Sequence, residues 1–532
     1  MANSVDTNNS CGVNDLIRFK RLLLIGSEGY GYKNIDTKDY ELEDTQTMCR
    51  LLESGHGEEM VKGIISSAQA NPARPEALIF ALATCARLTK DLKTKQAAYK
   101  AFAEVCKTPA QLFRFVNYAE KVSGQSTAPS TGWGRAHRKA ISDWYNNKDT
   151  MQLALALTKV KQWHGWAHKD VFRLAHIKTS KDTTALILKY IMKGLAKAKD
   201  AFPNDKMTEE MQTLLQFLEA VDLVKHSKDH LQVAQLVELH KLSQEHVPTW
   251  MQSSKEVWGI LLRQLPLGEV IPQLGRLTGV GVLDSLVPDN QAQALLDRLN
   301  SEESVKESRL NPLDYLIACK TYEAGKTEKS KPKWVTNVAV VEAMNTAFYS
   351  SFKNLTPTGK RFLVAVNVNS QRIHGGVVGT PSVRPLVAAS AVAMVIARSE
   401  EQYQLVGFSQ TVAPARLSAQ MSLQEVCLAI SEVPMGGSDC SLPMLWAAEH
   451  QKDVDVFVIV TDCMSHEGQI HPSEALKTYR NKLNIPHAKL VVCSLSNENF
   501  ALADAKDSGM LDVVTYDPSV PNIIRNFANG LL

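Results

Sequence analysis

Long hydrophobic runs are missing from this 532-residue chain, whose longest apolar stretches are strand-sized and too short to span a membrane. Cysteine is sparse and unpatterned. Nine residues lie between Cys11 and Cys493 without a CxxC pair, which argues against a disulfide framework and a zinc site and points to a reducing compartment. The opening MANSVDTNNSCGVND has no cationic stretch followed by an apolar one, so no secretory signal is read there. A cytoplasmic location with a nuclear pool is expected. Glycine-rich phosphate loops are lacking too: Gly375-Gly376 fits neither GxxxxGK nor GxGxxG. No Ser/His/Asp or Cys/His set has convincing spacing, and the fourteen histidines are scattered, so a non-catalytic protein is expected.

Charge is present, and it is unevenly placed. Residues 87–178 carry 17 Lys or Arg against 6 Asp or Glu, an excess hidden by the overall +3. Trp133, Trp144, Trp163 and Trp166 lie within it. Cations that neutralise phosphates beside aromatic faces that stack on bases suit single-stranded or irregular nucleic acid. Solvated helix faces that keep the protein soluble are the competing reading. Core packing is the better expectation for each tryptophan taken singly.

The hydrophobic period changes near Thr356-Pro357-Thr358-Gly359. Before it the spacing is helical, with one stripe through Leu214, Leu215, Leu218, Val221 and Val224 and another through Val233, Leu236, Val237, Leu239 and Leu242. Pro72, Pro75, Pro109, Pro203, Pro248 and Pro312 punctuate the helices. Such a run without strands predicts irregular stacked helix pairs over 1–355, with an ordinary multi-helix globule as the alternative. After it, 362–368, 404–408, 454–460 and 489–494 are continuous β-branched runs suited to buried parallel strands. Helical segments at 386–397, 423–430, 442–449, 473–482 and 521–528 alternate with them, which predicts a doubly wound α/β domain over 361–532. The second half is net −3 over 356–532, so the basic surface belongs to the helical half.

Three loops at the expected strand ends resemble the metal-ion-dependent adhesion site of von Willebrand factor A domains. That pattern has Asp-x-Ser-x-Ser in the first loop, Thr in the second and Asp in the third, oxygen ligands suited to Mg²⁺. Here Asn367 replaces the leading Asp and Asn369 the first Ser, with Gln371 or a shifted Ser370 as the second. Ser438 can stand for the Thr, and Asp462 is intact. Loss of the first-loop carboxylate should weaken any divalent cation held by Ser370, Ser438 and Asp462. Asp462 could equally cap a strand-end turn.

Within the basic segment, Arg135, Arg138 and Lys139 share one helix face, and Lys169, Arg173 and His176 are spaced as another stripe. Lys159 and Lys161 precede Trp163-His164-Gly165-Trp166. The strings Gly132-Trp133-Gly134-Arg135, Lys139-Ala140-Ile141-Ser142-Asp143-Trp144-Tyr145-Asn146, Gly165-Trp166-Ala167-His168-Lys169-Asp170 and Arg173-Leu174-Ala175-His176 resemble the Ro ribonucleoprotein family. So do Gly26-Ser27-Glu28-Gly29, Pro357-Thr358-Gly359-Lys360-Arg361-Phe362, Gly437-Ser438-Asp439-Cys440-Ser441-Leu442-Pro443-Met444 and Ile524-Arg525-Asn526-Phe527. The resemblance implies a ring of HEAT-like repeats, the TROVE module, followed by a von Willebrand A-like domain. It implies small noncoding Y RNAs on the outer basic surface and single-stranded 3′ ends of misfolded RNAs in the ring's hole. Lys159 and His176 fall where the family places Y RNA contacts, whereas Trp163 stands where the family commonly has a cation. The family's metal positions fall on Asn369, Gln371 or Ser370, and Ser438.

The expected function is therefore RNA binding in a small cytoplasmic ribonucleoprotein, by a monomer with no membrane or DNA partner. The A-like domain is the expected surface for protein partners. The alternative is a non-catalytic protein-interaction scaffold.

Overall fold

The computed structural model describes residues 8–33, 39–70, 72–125, 133–203, 207–284, 290–325, 334–369, 375–414, 418–461, 468–496, 501–504 and 506–532. Its first half is a succession of helices with local stop and start signals. Helix Pro75–Arg87 opens on proline, whose missing N–H costs nothing at a first turn, and its residues 77–86 are all buried. Pro109–Gly124 begins with a capping box in which Thr108 Oγ1 accepts from Gln111 N and Gln111 Oε1 from Thr108 N. Asp91, Asp149 and Asp229 cap the helices that follow them. On Glu209–His226 the expected stripe faces inward. On His230–Leu239 it does not fully hold: Leu239 is 74% exposed, because Val233, Ala234 and Val237 form the inward side.

Among the described residues the sheet has seven strands. Its order is β1 (Gly31–Tyr32), β9 (Met510–Val513), β8 (Lys489–Ser494), β7 (Val456–Thr461), β4 (Phe362–Asn367), β5 (Tyr403–Phe408) and β6 (Val412–Pro414). All neighbours are parallel except the short β6, which runs antiparallel to β5. Alternate residues divide between two cores. Val364, Val366, Val458 and Val460 face the core shared with the helical half, while Leu363, Ala365, Phe457 and Ile459 face the other side. Helices Pro385–Ser399 and Val520–Ala528 cover the first face, and Leu442–Glu449 and Pro472–Leu483 the second. The four strands expected from the sequence are present; β1, β6 and β9 are additional.

The edge strand β1 comes from inside the 1–355 span. Asp512 N donates to Tyr30 O and Val514 N to Tyr32 O, both at 2.8 Å. Tyr32 is fully buried, and its hydroxyl donates to Asp517 Oδ2 at 2.6 Å. The Arg21 guanidinium, also fully buried, donates to the carbonyls of Ser508 and Met510 and lies over the Tyr30 ring. Further along, Asn526 Nδ2 donates to Ala70 O and Asn311 Nδ2 to Pro518 O. A cleft of about 440 Å³ is lined by Gln69 and Pro72 from the early part of the helical half, Arg309 and Asn354 from its late part, and Pro518 and Arg525. The helical array thus returns on itself against the segment that follows β9.

Three histidines are buried in the helical half. His137 lies among Tyr99, Phe115 and Trp133, and burial pushes its pKa down to about 3. His168 meets the Tyr145 hydroxyl at 2.8 Å and is pushed down to about 4 by burial. His246, likewise near 4 through burial, accepts from Ser243 N at Nδ1, so its Nε2–H faces Thr158 Oγ1 at 2.9 Å. Depressed imidazoles contribute stability that is complete above about pH 6.5 and is lost as pH falls toward their folded values. Asp314 and Asp512, raised to about 6 chiefly by burial, act oppositely, and their contribution is lost as pH rises through 6.

Between pH 7 and 5 each histidine costs about 2 kcal/mol and each aspartate returns about 1 kcal/mol, so the net is a loss. Urea unfolding should show that loss, and His137→Phe should reduce it by about 2 kcal/mol. Tyr32→Phe, which strips a carboxylate of its phenol donor, should cost about 2 kcal/mol and speed amide exchange in β9. Unchanged exchange in β9 would show that β1 does not brace the sheet.

Candidate nucleic-acid interface

Helix Arg135–Asn146 divides its residues by chemistry. His137, Ile141, Trp144 and Tyr145 turn inward; Arg135, Arg138 and Lys139 turn outward. Trp133 packs edge-on against His137, and its Nε1 donates to Glu120 Oε1 at 2.6 Å. Trp144 Nε1 donates to the Cys106 carbonyl. Both tryptophans therefore hold helices together and are closed to a ligand. Lys139 spans one turn to Asp143 at 2.7 Å, but both groups are largely exposed, so solvent and salt weaken the pair.

Next comes a two-stranded hairpin of β2 (Gln162–Trp163) and β3 (Trp166–Ala167). His164 and Gly165 both have positive φ, 50° and 79°, the backbone of a tight turn that matches strand twist. Trp166 lies 6.1 Å from Trp133 and anchors the hairpin. Its cross-strand partner Trp163 is left 45% exposed. Of the four tryptophans in the basic segment it is the one whose ring is offered to solvent.

Helix His168–Ala175 buries His168, Val171, Phe172 and Ala175 and exposes Lys169 and Arg173. The expected stripe through His176 is corrected here. The helix ends at Ala175, and His176 is an exposed cap at φ 51°, ψ 49° whose N–H donates to Phe172 O. The left-handed cap swings the imidazole off the helical register.

Lys161, Lys169 and Lys225 converge on a cleft of about 410 Å³ that also includes Thr158, Tyr190 and Asp222. Lys225 was not singled out from the sequence. It lies 56 residues beyond Lys169, on helix Glu209–His226, and no local motif marks it. Its Nζ donates to the Tyr190 hydroxyl at 2.9 Å, and burial, with Lys161 adding to the drop, pushes its pKa down to about 8. Lys159, at the end of helix Thr150–Lys159, pairs with Glu245 at 3.3 Å. Arg135, Arg138, Lys161, Lys169 and Arg173 have no carboxylate partner among the described residues. An anion meeting this face competes mainly with water.

The strand-end loops of the A-like domain present different chemistry. Ser370, Gln371 and Asp462 lie outside the described residues. Asn367, wholly buried at the end of β4, and Asn369 both aim their side-chain amino groups at Ser438 Oγ, at 2.9 and 3.0 Å. The described members of the set thus offer amide donors where a hard cation requires oxygen ligands, and they do not fit one.

Two family models match. One is the TROVE domain over residues 5–321, the other the Ro60 vWA domain over 361–528. The chain is 31% identical to the RNA-binding protein RO60 of Caenorhabditis elegans, covering 97% of this chain and 88% of that protein. It is 30% identical to the RNA-binding protein RO60 of Deinococcus radiodurans, covering 97% and 93%. The crystal structure of the Deinococcus radiodurans RO (RSR) protein superposes with a TM-score of 0.85 at 28% identity, over 97% of this chain and all of that one. Helical repeats, parallel sheet and the two matched models occur in one order along one chain, which belongs to the Ro60 family.

Proposed function

We propose that this protein is a non-catalytic RNA-binding component of small ribonucleoproteins, and that its basic face receives Y RNAs. The observation that carries this reading is the exposed set Arg135, Arg138, Lys161, Lys169 and Arg173, without carboxylate partners among the described residues and set beside an exposed Trp163. Phosphates neutralise such cations and release counterions, and an exposed indole stacks on an unpaired base. Relatives named as RNA-binding proteins over nearly the whole chain support it. The return of the helical array on itself supports a second role, in which single-stranded 3′ ends of misfolded RNAs enter the ring. A cytoplasmic location with a nuclear pool is part of the same proposal, in keeping with scattered cysteines that form no CxxC pair.

Crosslinking in cells followed by sequencing of bound RNA tests the reading, and recovery of no enriched small RNA would favour a protein scaffold instead. In vitro, affinity should fall steeply with salt, and removing one phosphate-contacting lysine, Lys161 or Lys169, should lower the log–log slope by about 0.7 to 0.9. Lys159→Ala with His176→Ser should weaken structured RNA while the fold persists. Trp163→Ala should cost about 1 to 3 kcal/mol toward RNA with unpaired bases and leave the salt slope unchanged. A lowered slope in that variant would show that the indole acts only by placing neighbouring cations.

A further inference from the structure

The strand-end loops of the A-like domain contain a feature that the RNA reading does not use. Divalent cations such as Mg²⁺ or Mn²⁺ need hard oxygen ligands and carry two charges to be balanced. A carboxamide has the shape of a carboxylate but only one acceptor end, and its other end donates two hydrogens. Which end faces the site decides whether it can bind a cation.

The backbone settles that question at Asn367. The N–H of Asn369 donates to Asn367 Oδ1 at 3.0 Å, so the oxygen is turned toward its own loop. The amino group must then point the other way, and it donates to Ser438 Oγ at 2.9 Å and Thr461 Oγ1 at 3.2 Å. Asn369 is fixed similarly by the backbone N–H and C=O of a single residue. Its Oδ1 accepts from Gly436 N at 3.4 Å, while its Nδ2 donates to Gly436 O at 2.7 Å and to Ser438 Oγ at 3.0 Å. The Ser438 oxygen therefore receives two N–H donors, which engages both acceptor positions of a hydroxyl. A cation approaching Ser438 would meet the positive ends of two amides and an oxygen with no lone pair to give.

We propose that the described strand-end residues of this A-like domain hold no divalent cation: an amide–hydroxyl clasp of Asn367, Asn369 and Ser438 occupies the position and fastens the first loop to the second in its place, with Asn367 also tied to Thr461 at the end of β7. Any partner that docks on this face is then held without a cation bridge, and its binding is indifferent to chelators. The clasp is neutral, so it fastens the loops without requiring metal, and the burial of Asn367 keeps water from competing for its bonds.

The test is Mn²⁺ binding by the full-length chain, read as loss of the free-ion paramagnetic resonance signal, together with thermal unfolding in Mg²⁺ and in EDTA. The wild-type chain should show no stoichiometric Mn²⁺ site that depends on Ser438, and the same unfolding midpoint in both buffers. Asn367→Asp combined with Asn369→Ser, which supplies a carboxylate and a hydroxyl, should gain a Mn²⁺ site and a midpoint raised by Mg²⁺. Asn369→Asp, at the half-buried position, serves should the double variant not fold, and should gain the same dependence. One Mn²⁺ bound per wild-type chain and lost in Ser438→Ala overturns the proposal. A folded carboxylate variant that gains no site overturns it as well, because the amides would then not be what keeps the cation out.

Discussion

The aversion of charged groups to a dry interior organises the helical half. Lysine and arginine between 135 and 176 cannot be buried without partners, so the helices that carry them turn their aromatic and imidazole sides inward. His137 and His168 are admitted to that interior as neutral rings, and Trp133 and Trp144 only where Glu120 and the Cys106 carbonyl accept their N–H groups. What remains outside is a surface of exposed cations. Basic surface and aromatic core are two results of one partition.

Lys225 marks the limit of that partition. It is half-buried, faces Lys161 across a cleft, and its main polar contact is a phenol. Like charges held close together in a partly dry cleft are costly, and a bound anion relieves the cost. The A-like domain resolves an analogous difficulty differently. Where carboxylates would need a cation for balance, two neutral amides donate to one hydroxyl. The two halves thus handle charge in contrasting ways, one leaving cations open and the other setting neutral amides where a carboxylate could stand.

Much of the architecture was legible in the residues, for physical reasons. The runs that became β4, β5, β7 and β8 are apolar on both faces because both faces are covered, a pattern hard to mistake. The strand β1 is two residues long and β9 four, too short for any periodicity to show. Their pairing is specified by long-range contacts such as Tyr32 with Asp517, which no local window contains. In the site, exposed Arg135 and Lys169 could be read from helical spacing. Trp163 stood out in the sequence by resemblance alone; the hairpin supplies the physical reason, since its cross-strand partner Trp166 lies beside Trp133. Lys225 was invisible for the same reason as β1, and His176 misled because a helix cap leaves no mark in spacing.

The pairing of β1 with β9 also sets an order of events. Gly31 and Tyr32 leave the ribosome well before Asp512 and Val513, their partners about 480 residues further along. At translation rates of roughly 5 to 20 residues per second, the interval between them is on the order of half a minute to a minute and a half. Throughout that time Arg21 and Tyr32 have no carbonyls or carboxylate to bind, and the helical array lacks the segment on which its two ends meet. A chain cut short before residue 510 would leave the array without that seam. Synthesis of residues 508–526 therefore acts as a checkpoint on residues 21–70, and a nascent chain reaches its closed form only after that segment has emerged.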